Sequence, residues 1–162
     1  MKRIPIQKIC VIGLGYIGLP TAAMFTTRGF QVVGMDIDDR VVEILRNGDV
    51  HIQEPGLKTM VKAAIKSGNL HITNLPEPAD VFIITVPTPL SMAHEPVPRD
   101  GSMAINQSPV ADHSYVINAA KGIVPFLRPG NLVVLESTVP PPNDRRYLAP
   151  NSRKIKSEYW CG

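Results

Sequence analysis

Residues 8–18, KICVIGLGYIG, decide the fold of this chain. The stretch begins as a short apolar run rich in β-branched residues, which is typical of a buried parallel strand. Glycines follow in the spacing G-x-G-x-x-G, and the apolar residues beyond them recur at helical intervals. A strand that leads through such a turn into a helix predicts a phosphate-binding site at the helix N-terminus.

The three glycines have separate expected roles, and a carboxylate completes the pattern. Gly13 permits the tight turn, Gly15 lets a pyrophosphate approach the backbone, and Gly18 allows close packing of helix and strand. Asp36 ends the next apolar run, where its carboxylate is placed to accept hydrogen bonds from the adenosine ribose. The same charge repels a 2′-phosphate by about 4 kcal/mol at a separation of about 4 Å. NAD is therefore predicted as the cofactor, in preference to NADP.

Three further residues are expected near the cofactor. Tyr16 either covers the phosphates or packs against the domain, and its backbone N–H matters more than its ring. Ile17 belongs to the same turn and is assigned to the apolar face of the first helix. Arg40 either stacks on the adenine or is a solvated helix residue.

Strands and helices alternate along the chain. Apolar runs predict strands over 8–13, 31–36, 70–73, 80–86 and 131–136. Helical spacing and helix-stop residues predict helices near 17–28, 41–46, 56–67 and 113–127. The alternation implies an α/β fold with a doubly wound parallel sheet, the Rossmann fold, in a single domain. We expect this NAD-binding domain to occupy residues 1–141.

Two segments depart from the alternation. Residues 87–111 contain five prolines and almost no periodicity, which predicts a long loop or flap. Residues 140–162 begin with three prolines and turn basic, and residues 142–162 are expected to be an atypical tail, the cut-short start of a following segment.

Charge and composition exclude several classes of function. Residues 1–142 hold twelve basic and twelve acidic side chains, so the net charge of +3 arises entirely in 143–162. Such a neutral body disfavours nucleic-acid binding. No apolar run approaches the ~18 residues of a membrane span, and no signal peptide is visible, so a cytoplasmic protein without a membrane partner is expected. Cys10 and Cys161 lie far apart in the sequence, and no metal site is predicted.

Five motifs occur in a characteristic order. They are GLGYIGLP at 13–20, MDID at 35–38, HIQEPGL at 51–57, TVPTPL at 85–90 and LESTVPP at 135–141. From about residue 8 to residue 141 the sequence resembles the nucleotide-sugar 6-dehydrogenases of the UDP-glucose/GDP-mannose type, in their N-terminal NAD-binding domain. The HI-x-EP and HEP segments are more similar to the UDP-N-acetylmannosamine branch.

The resemblance implies roles for residues at two later strand ends. Val86, Pro87 and Thr88 would border the pyrophosphate and the nicotinamide ribose. Ser137 and Thr138 would lie at the end of the next strand. Thr138 matches a family threonine that helps to position a water or reacting group, which is a supporting catalytic role; the alternative is a hydroxyl that caps the following helix.

The family's complete reaction implies parts that this chain lacks. Members oxidise the C6 alcohol of a UDP-sugar to a carboxylate by two hydride transfers to NAD, through a thioester on a cysteine of a second, UDP-binding domain. Cys161 lacks the surroundings of that cysteine's motif. Binding of a UDP-sugar is therefore expected only where a C-terminal substrate domain is supplied.

Two main hypotheses remain open from the sequence. The chain is the NAD-binding portion of a UDP-sugar 6-dehydrogenase, inactive alone, or it is a free-standing NAD(H)-binding module without turnover. An unrelated small dehydrogenase is disfavoured because no Tyr-x-x-x-Lys pair is present. Weak homodimers are expected, since a sheet edge would be left uncovered.

Overall fold

The computed structural model describes residues 6–92 and 109–137. Its strands, in chain order, are β1 Lys8–Ile12, β2 Gln31–Met35, β3 Leu70–Thr73, β4 Val81–Ile84, β5 Leu90–Met92, β6 Pro109–Ala111 and β7 Leu132–Leu135. Its helices are α1 Gly18–Thr27, α2 Asp39–Arg46, α3 Leu57–Lys66 and α4 Ser114–Ile123, the last followed by a 3-10 turn at Val124–Phe126.

The main sheet has five parallel strands in the order β3-β2-β1-β4-β7. The chain builds outward from β1 to β3, returns to β4 beside β1, and then adds β7. This reversal next to β1 makes a doubly wound sheet with a switch point between β1 and β4, and it confirms the predicted Rossmann fold. Ligands of such sheets bind at the switch point, outside the carboxyl ends of the strands.

Alternate residues of β1 face two separate hydrophobic cores. Ile9 and Val11 belong to the core shared with α1, α2 and α3, whereas Cys10 and Ile12 belong to the core shared with α4. All four side chains are at most 3% exposed. A strand buried on both faces must be apolar throughout, which is why 8–13 shows no polar alternation.

Two predicted segments differ in detail from the structure. The last strand before 87–111 ends at Ile84, two residues earlier than predicted. The helix predicted to reach residue 127 gives way to the 3-10 turn, where Pro125 lacks the backbone N–H that an α-helix requires. No helix in the described ranges is long and apolar enough to cross a membrane.

Residues 87–111, which were predicted to form a long loop or flap, contain a short strand at each end. There β5 pairs with β6 in an antiparallel ladder, with Leu90 opposite Ala111 and Met92 opposite Pro109. Strands of three residues are too short to show a hydrophobic period in the sequence. Proline lacks an N–H for the ladder, but it is tolerated as the first residue of a strand. Residues 93–108 and 138–162 lie outside the described part of the chain.

Candidate dinucleotide-binding site

Four strands of the main sheet end at the same level. Ile12 is in register with Met35 and Ile84, and Ile84 is in register with Leu135. The next residues along the chain are Gly13, Asp36, Thr85 and Glu136, which therefore leave the sheet side by side. The candidate site is the edge that they form.

Gly13 and Gly18 are required by the backbone of the turn itself. Gly13 has φ +92°, in the region that disfavours other residues, and its N–H donates to the carbonyl of Met35 at 2.8 Å. A Cβ on Gly18 would overlap the carbonyl oxygen of Gly13 and the hydroxyl of Thr85. These two glycines thus bring the start of α1 directly onto the end of β1.

Gly15 has no such requirement. Its φ is not positive, and a Cβ built on it would meet no atom of the described residues within 4 Å. The polypeptide would therefore accept a side chain here. A glycine in this place keeps open the space in front of the first turn of α1.

The start of α1 presents donors rather than acceptors to this space. No side chain caps the helix, and its first turn contains no acidic residue. Among the described residues, no acceptor pairs with the backbone N–H groups of Gly15, Tyr16 or Ile17. Free N–H groups and the positive end of the helix dipole favour an anion.

The carboxylate of Asp36 holds the same turn from the β2 side. Its Oδ2 accepts the N–H of Leu14 at 2.8 Å, and its Oδ1 accepts the N–H of Asp38 at 3.0 Å. A carboxylate has about four lone-pair sites, so both oxygens keep capacity for ribose hydroxyls.

Thr85 is a residue of this edge to which the sequence analysis assigned no role. Its Oγ1 lies 2.7 Å from the carbonyl oxygen of Gly13 and 3.0 Å from that of Ile12, and the residue is 8% exposed. Threonine has high strand propensity, so the sequence pattern alone indicates only that Thr85 ends an apolar strand. The available signal was a hydroxyl directly after the buried run VFII, at a strand end next to the glycine turn.

Comparison with known proteins identifies the family. The family described as "UDP-glucose/GDP-mannose dehydrogenase family, NAD binding domain" has a sequence profile that matches residues 7–159. The chain belongs to this family. The match extends past residue 141, where we expected the resemblance to end.

Individual dehydrogenases of the family are similar in sequence and structure. UDP-N-acetyl-D-mannosamine dehydrogenase of Methanococcus maripaludis is 47% identical over 150 residues, which are 93% of this chain and 33% of that protein. The Staphylococcus aureus UDP-N-acetyl-mannosamine dehydrogenase superposes with a TM-score of 0.77 at 39% identity, covering 89% of this chain and 32% of that one. The Pyrobaculum islandicum UDP-glucose dehydrogenase superposes with a TM-score of 0.71 at 32% identity, covering 96% of this chain and 36% of that one.

The chain spans about a third of the length of the curated relatives that it matches, and the part matched is their NAD-binding portion. NAD is thus confirmed as the cofactor type of the domain. The resemblance to the UDP-N-acetylmannosamine branch is also confirmed, by the names of the matched relatives.

Four of the five residues assigned by resemblance lie at the same sheet edge. Val86, Pro87 and Thr88 follow β4, and Val86 packs against the core on the α4 side. Ser137 follows β7, and its hydroxyl donates to the carbonyl of Val86 at 2.7 Å. Ser137 therefore ties two strand ends together. Thr138 lies outside the described residues.

The structure also describes the three remaining residues that were predicted for the candidate site. Tyr16 is 69% exposed, so it does not pack against the domain. Ile17 is 53% exposed, and its assignment to the apolar helix face is wrong because α1 begins only at Gly18. The side chain of Arg40 is 88% exposed, and its Nη2 pairs with Oδ2 of Asp38 at 2.9 Å. This bond lowers the pKa of Asp38.

Proposed function

We propose that NAD(H) lies across the carboxyl ends of β1 and β4, with its pyrophosphate over Gly15–Gly18. The observation that carries this proposal is the open space at Gly15. Gly13 and Gly18 are explained by the backbone alone, whereas Gly15 has neither a positive φ nor a neighbour that a side chain would strike. A glycine that the fold does not need is explained by a ligand that approaches the main chain.

The hydrogen-bonding groups of the turn fit a pyrophosphate. The N–H groups of Gly15, Tyr16 and Ile17 have no acceptor within the described ranges, and they sit at the positive end of α1. Phosphate oxygens supply charge and acceptors together. The matched family binds NAD, which supplies a ligand of this chemistry.

Asp36 is proposed to select NAD by binding the adenosine ribose. Its two oxygens accept from the turn and from the residue before α2, and this position at the sheet edge supports the proposal. Arg40 is proposed to lie at the adenine end, either stacked on the ring or solvated. At the other end, Val86–Thr88 are proposed to border the nicotinamide ribose, together with Ser137 and Thr138.

For the longer protein we propose NAD-dependent oxidation of a UDP-sugar at C6. The names of the matched relatives favour UDP-N-acetylmannosamine, with UDP-glucose as the alternative. The proposed partner of the chain is NAD(H), and a UDP-sugar binds only with a C-terminal substrate domain, in a cytoplasmic enzyme. Thr138 would support the chemistry. A free-standing NAD(H)-binding module without turnover remains the alternative proposal.

We also propose weak self-association of the isolated chain through an apolar groove beside β7. The groove has a volume of about 430 Å³ and runs between α1 and the last strand. Met24 and Leu132 at its rim are 48% and 45% exposed. No strand of the described residues pairs with the outer edge of β7. A second copy would bury this surface.

The placement of the cofactor is tested by Gly15→Ala and Gly15→Val. Both variants should unfold at the wild-type temperature because the folded chain has room for the side chain, and both should bind NADH at least roughly tenfold more weakly in a fluorescence titration. Gly122→Ala is the matched control, since its Cβ would make ordinary contact, 3.8 Å from Pro76 Cγ, far from the turn. Unchanged NADH affinity in Gly15→Val would refute the placement.

A further inference from the structure

One peptide group in the phosphate turn is held at both of its polar atoms. The carbonyl oxygen of the Gly13–Leu14 peptide accepts the hydroxyl of Thr85 at 2.7 Å. The N–H of the same peptide donates to Oδ2 of Asp36 at 2.8 Å. The two partners follow β4 and β2, the strands on either side of β1.

These two bonds fix the plane of the peptide. A peptide group is rigid, so its orientation depends on the soft dihedrals that flank it. Rotation about the axis joining its two α-carbons would lengthen the bonds to Thr85 and Asp36 together. The orientation of this plane sets the direction in which the chain enters Gly15 and the free N–H groups beyond it.

We propose that Thr85 is a positioning residue for the cofactor, which holds the phosphate turn in its binding conformation through this bond. The inference rests on the proposed placement of the pyrophosphate over Gly15–Gly18. Thr85 itself touches the turn and not the phosphates. Its hydroxyl holds the main chain in the ordered conformation before the pyrophosphate binds. Binding then costs less conformational entropy, so a preordered site binds more tightly.

The surroundings of Thr85 make the hydroxyl difficult to replace. The residue is buried, and its β-branched side chain has few rotamers available. Gly18 packs so closely on the carbonyl of Gly13 that even a Cβ would overlap it, so little room remains for water. Removal of the hydroxyl thus leaves this carbonyl without its side-chain donor and the peptide held from one side only.

The test compares Thr85→Val, which keeps the shape and removes the donor, with Thr85→Ser, which keeps the donor. NADH affinity is measured by fluorescence titration well below each unfolding temperature. We expect a roughly five- to thirtyfold weaker affinity for Thr85→Val and near-wild-type affinity for Thr85→Ser. Exchange of the Leu14 amide hydrogen, followed by NMR, should also accelerate in Thr85→Val.

Thr26→Val is the matched control for lost stability. Thr26 is 5% exposed, and its hydroxyl donates to the carbonyl of Ala23 inside α1, away from the turn. This variant should lower the unfolding temperature without changing NADH affinity. If Thr85→Val does not fold, Thr85→Cys takes its place, and it should bind NADH several-fold more weakly than Thr85→Ser because a thiol is a weak donor.

The outcomes separate this inference from the placement of the cofactor. Weak binding by Gly15→Val with wild-type affinity in Thr85→Val, or in Thr85→Cys if that variant replaces it, would overturn the role of Thr85 alone. Wild-type affinity in Gly15→Val would overturn the placement instead. Equal losses of affinity in Thr85→Val and Thr26→Val would show that general destabilisation, and not the turn, controls binding.

Discussion

The α-carbon of Gly18 lies against the carbonyl oxygen of Gly13, with no room between them for a methyl group. The contact joins the first turn of α1 to the end of β1. Gly18→Ala should therefore destabilise the fold by about 3 kcal/mol, because neither partner is a flexible side chain that can move aside. Urea unfolding measures the difference. Gly15→Ala is the matched variant and should unfold as wild type does; equal stability of all three proteins would contradict the packing role.

Asp36→Ala should lower the affinity for NAD and raise the relative acceptance of NADP. The change removes the proposed ribose acceptor and the charge, and also the bond to the Leu14 N–H. Asp36→Asn separates these effects, since its amide oxygen can still accept from Leu14. In Asp36→Asn we expect the ratio of NAD affinity to NADP affinity to change by at least roughly tenfold, which corresponds to about 1.4 kcal/mol. This is smaller than the repulsion of about 4 kcal/mol between the Asp36 carboxylate and a 2′-phosphate.

The control for Asp36 is Asp39→Asn, an exposed residue in the first turn of α2. It should leave the NAD/NADP ratio unchanged. A ratio that stays at the wild-type value in Asp36→Asn, measured by competition with NADH, would make Asp36 a structural residue of the turn only.

Asp80 should contribute to the loss of folding stability at low pH. Its Oδ2 accepts the N–H groups of Lys8 and Gln7, both at 2.9 Å, and these bonds lower the pKa below the ordinary 3.8. A lowered folded-state pKa means stabilisation that is present above 3.8 and lost as the pH falls through the folded value. Asp80→Asn should be less stable than wild type at pH 7 and lose less on acidification. Parallel pH profiles in urea unfolding would contradict this.

The isolated chain should bind NAD without oxidising UDP-sugars. Lost positioning of substrate and nucleophile removes roughly 7 to 11 kcal/mol of barrier reduction, which is many decades in rate. NADH absorbance is followed after adding NAD⁺ with UDP-N-acetylmannosamine or UDP-glucose, with a full-length relative as the positive control. Steady NADH production that Thr138→Ala abolishes would show a complete active site within these 162 residues.

Leu132→Lys should weaken self-association of the chain. The substitution places a charge on the exposed edge strand at the rim of the apolar groove. Leu75→Lys is the control, because Leu75 is 67% exposed but does not line the groove. Sedimentation velocity over a concentration series measures both. Equal association of wild type and Leu132→Lys would exclude this surface.

The sequence predicted those parts of the fold that depend on a pattern within a short stretch of residues. Apolar runs marked every strand of the parallel sheet, and the glycine turn with Asp36 marked the cofactor edge, because each depends on a short range of residues. The pairing of β5 with β6 was missed because three-residue strands have no visible period. Thr85 was missed because its role depends on a contact with Gly13, 72 residues away, that no local pattern encodes.

Because no side chain caps the start of α1, an anion bound there would raise the free energy of unfolding of the domain. A helix that opens on unpaired N–H groups is incomplete until an anion arrives, and a ligand that binds only the folded state stabilises it by RT ln(1 + [L]/Kd). At a concentration one hundred times Kd this amounts to about 2.7 kcal/mol. In the proposed placement, the dinucleotide would therefore stabilise the folded domain as well as bind to it. A substitution that weakens its binding would expose the domain to proteolysis even where the unliganded fold is unaffected.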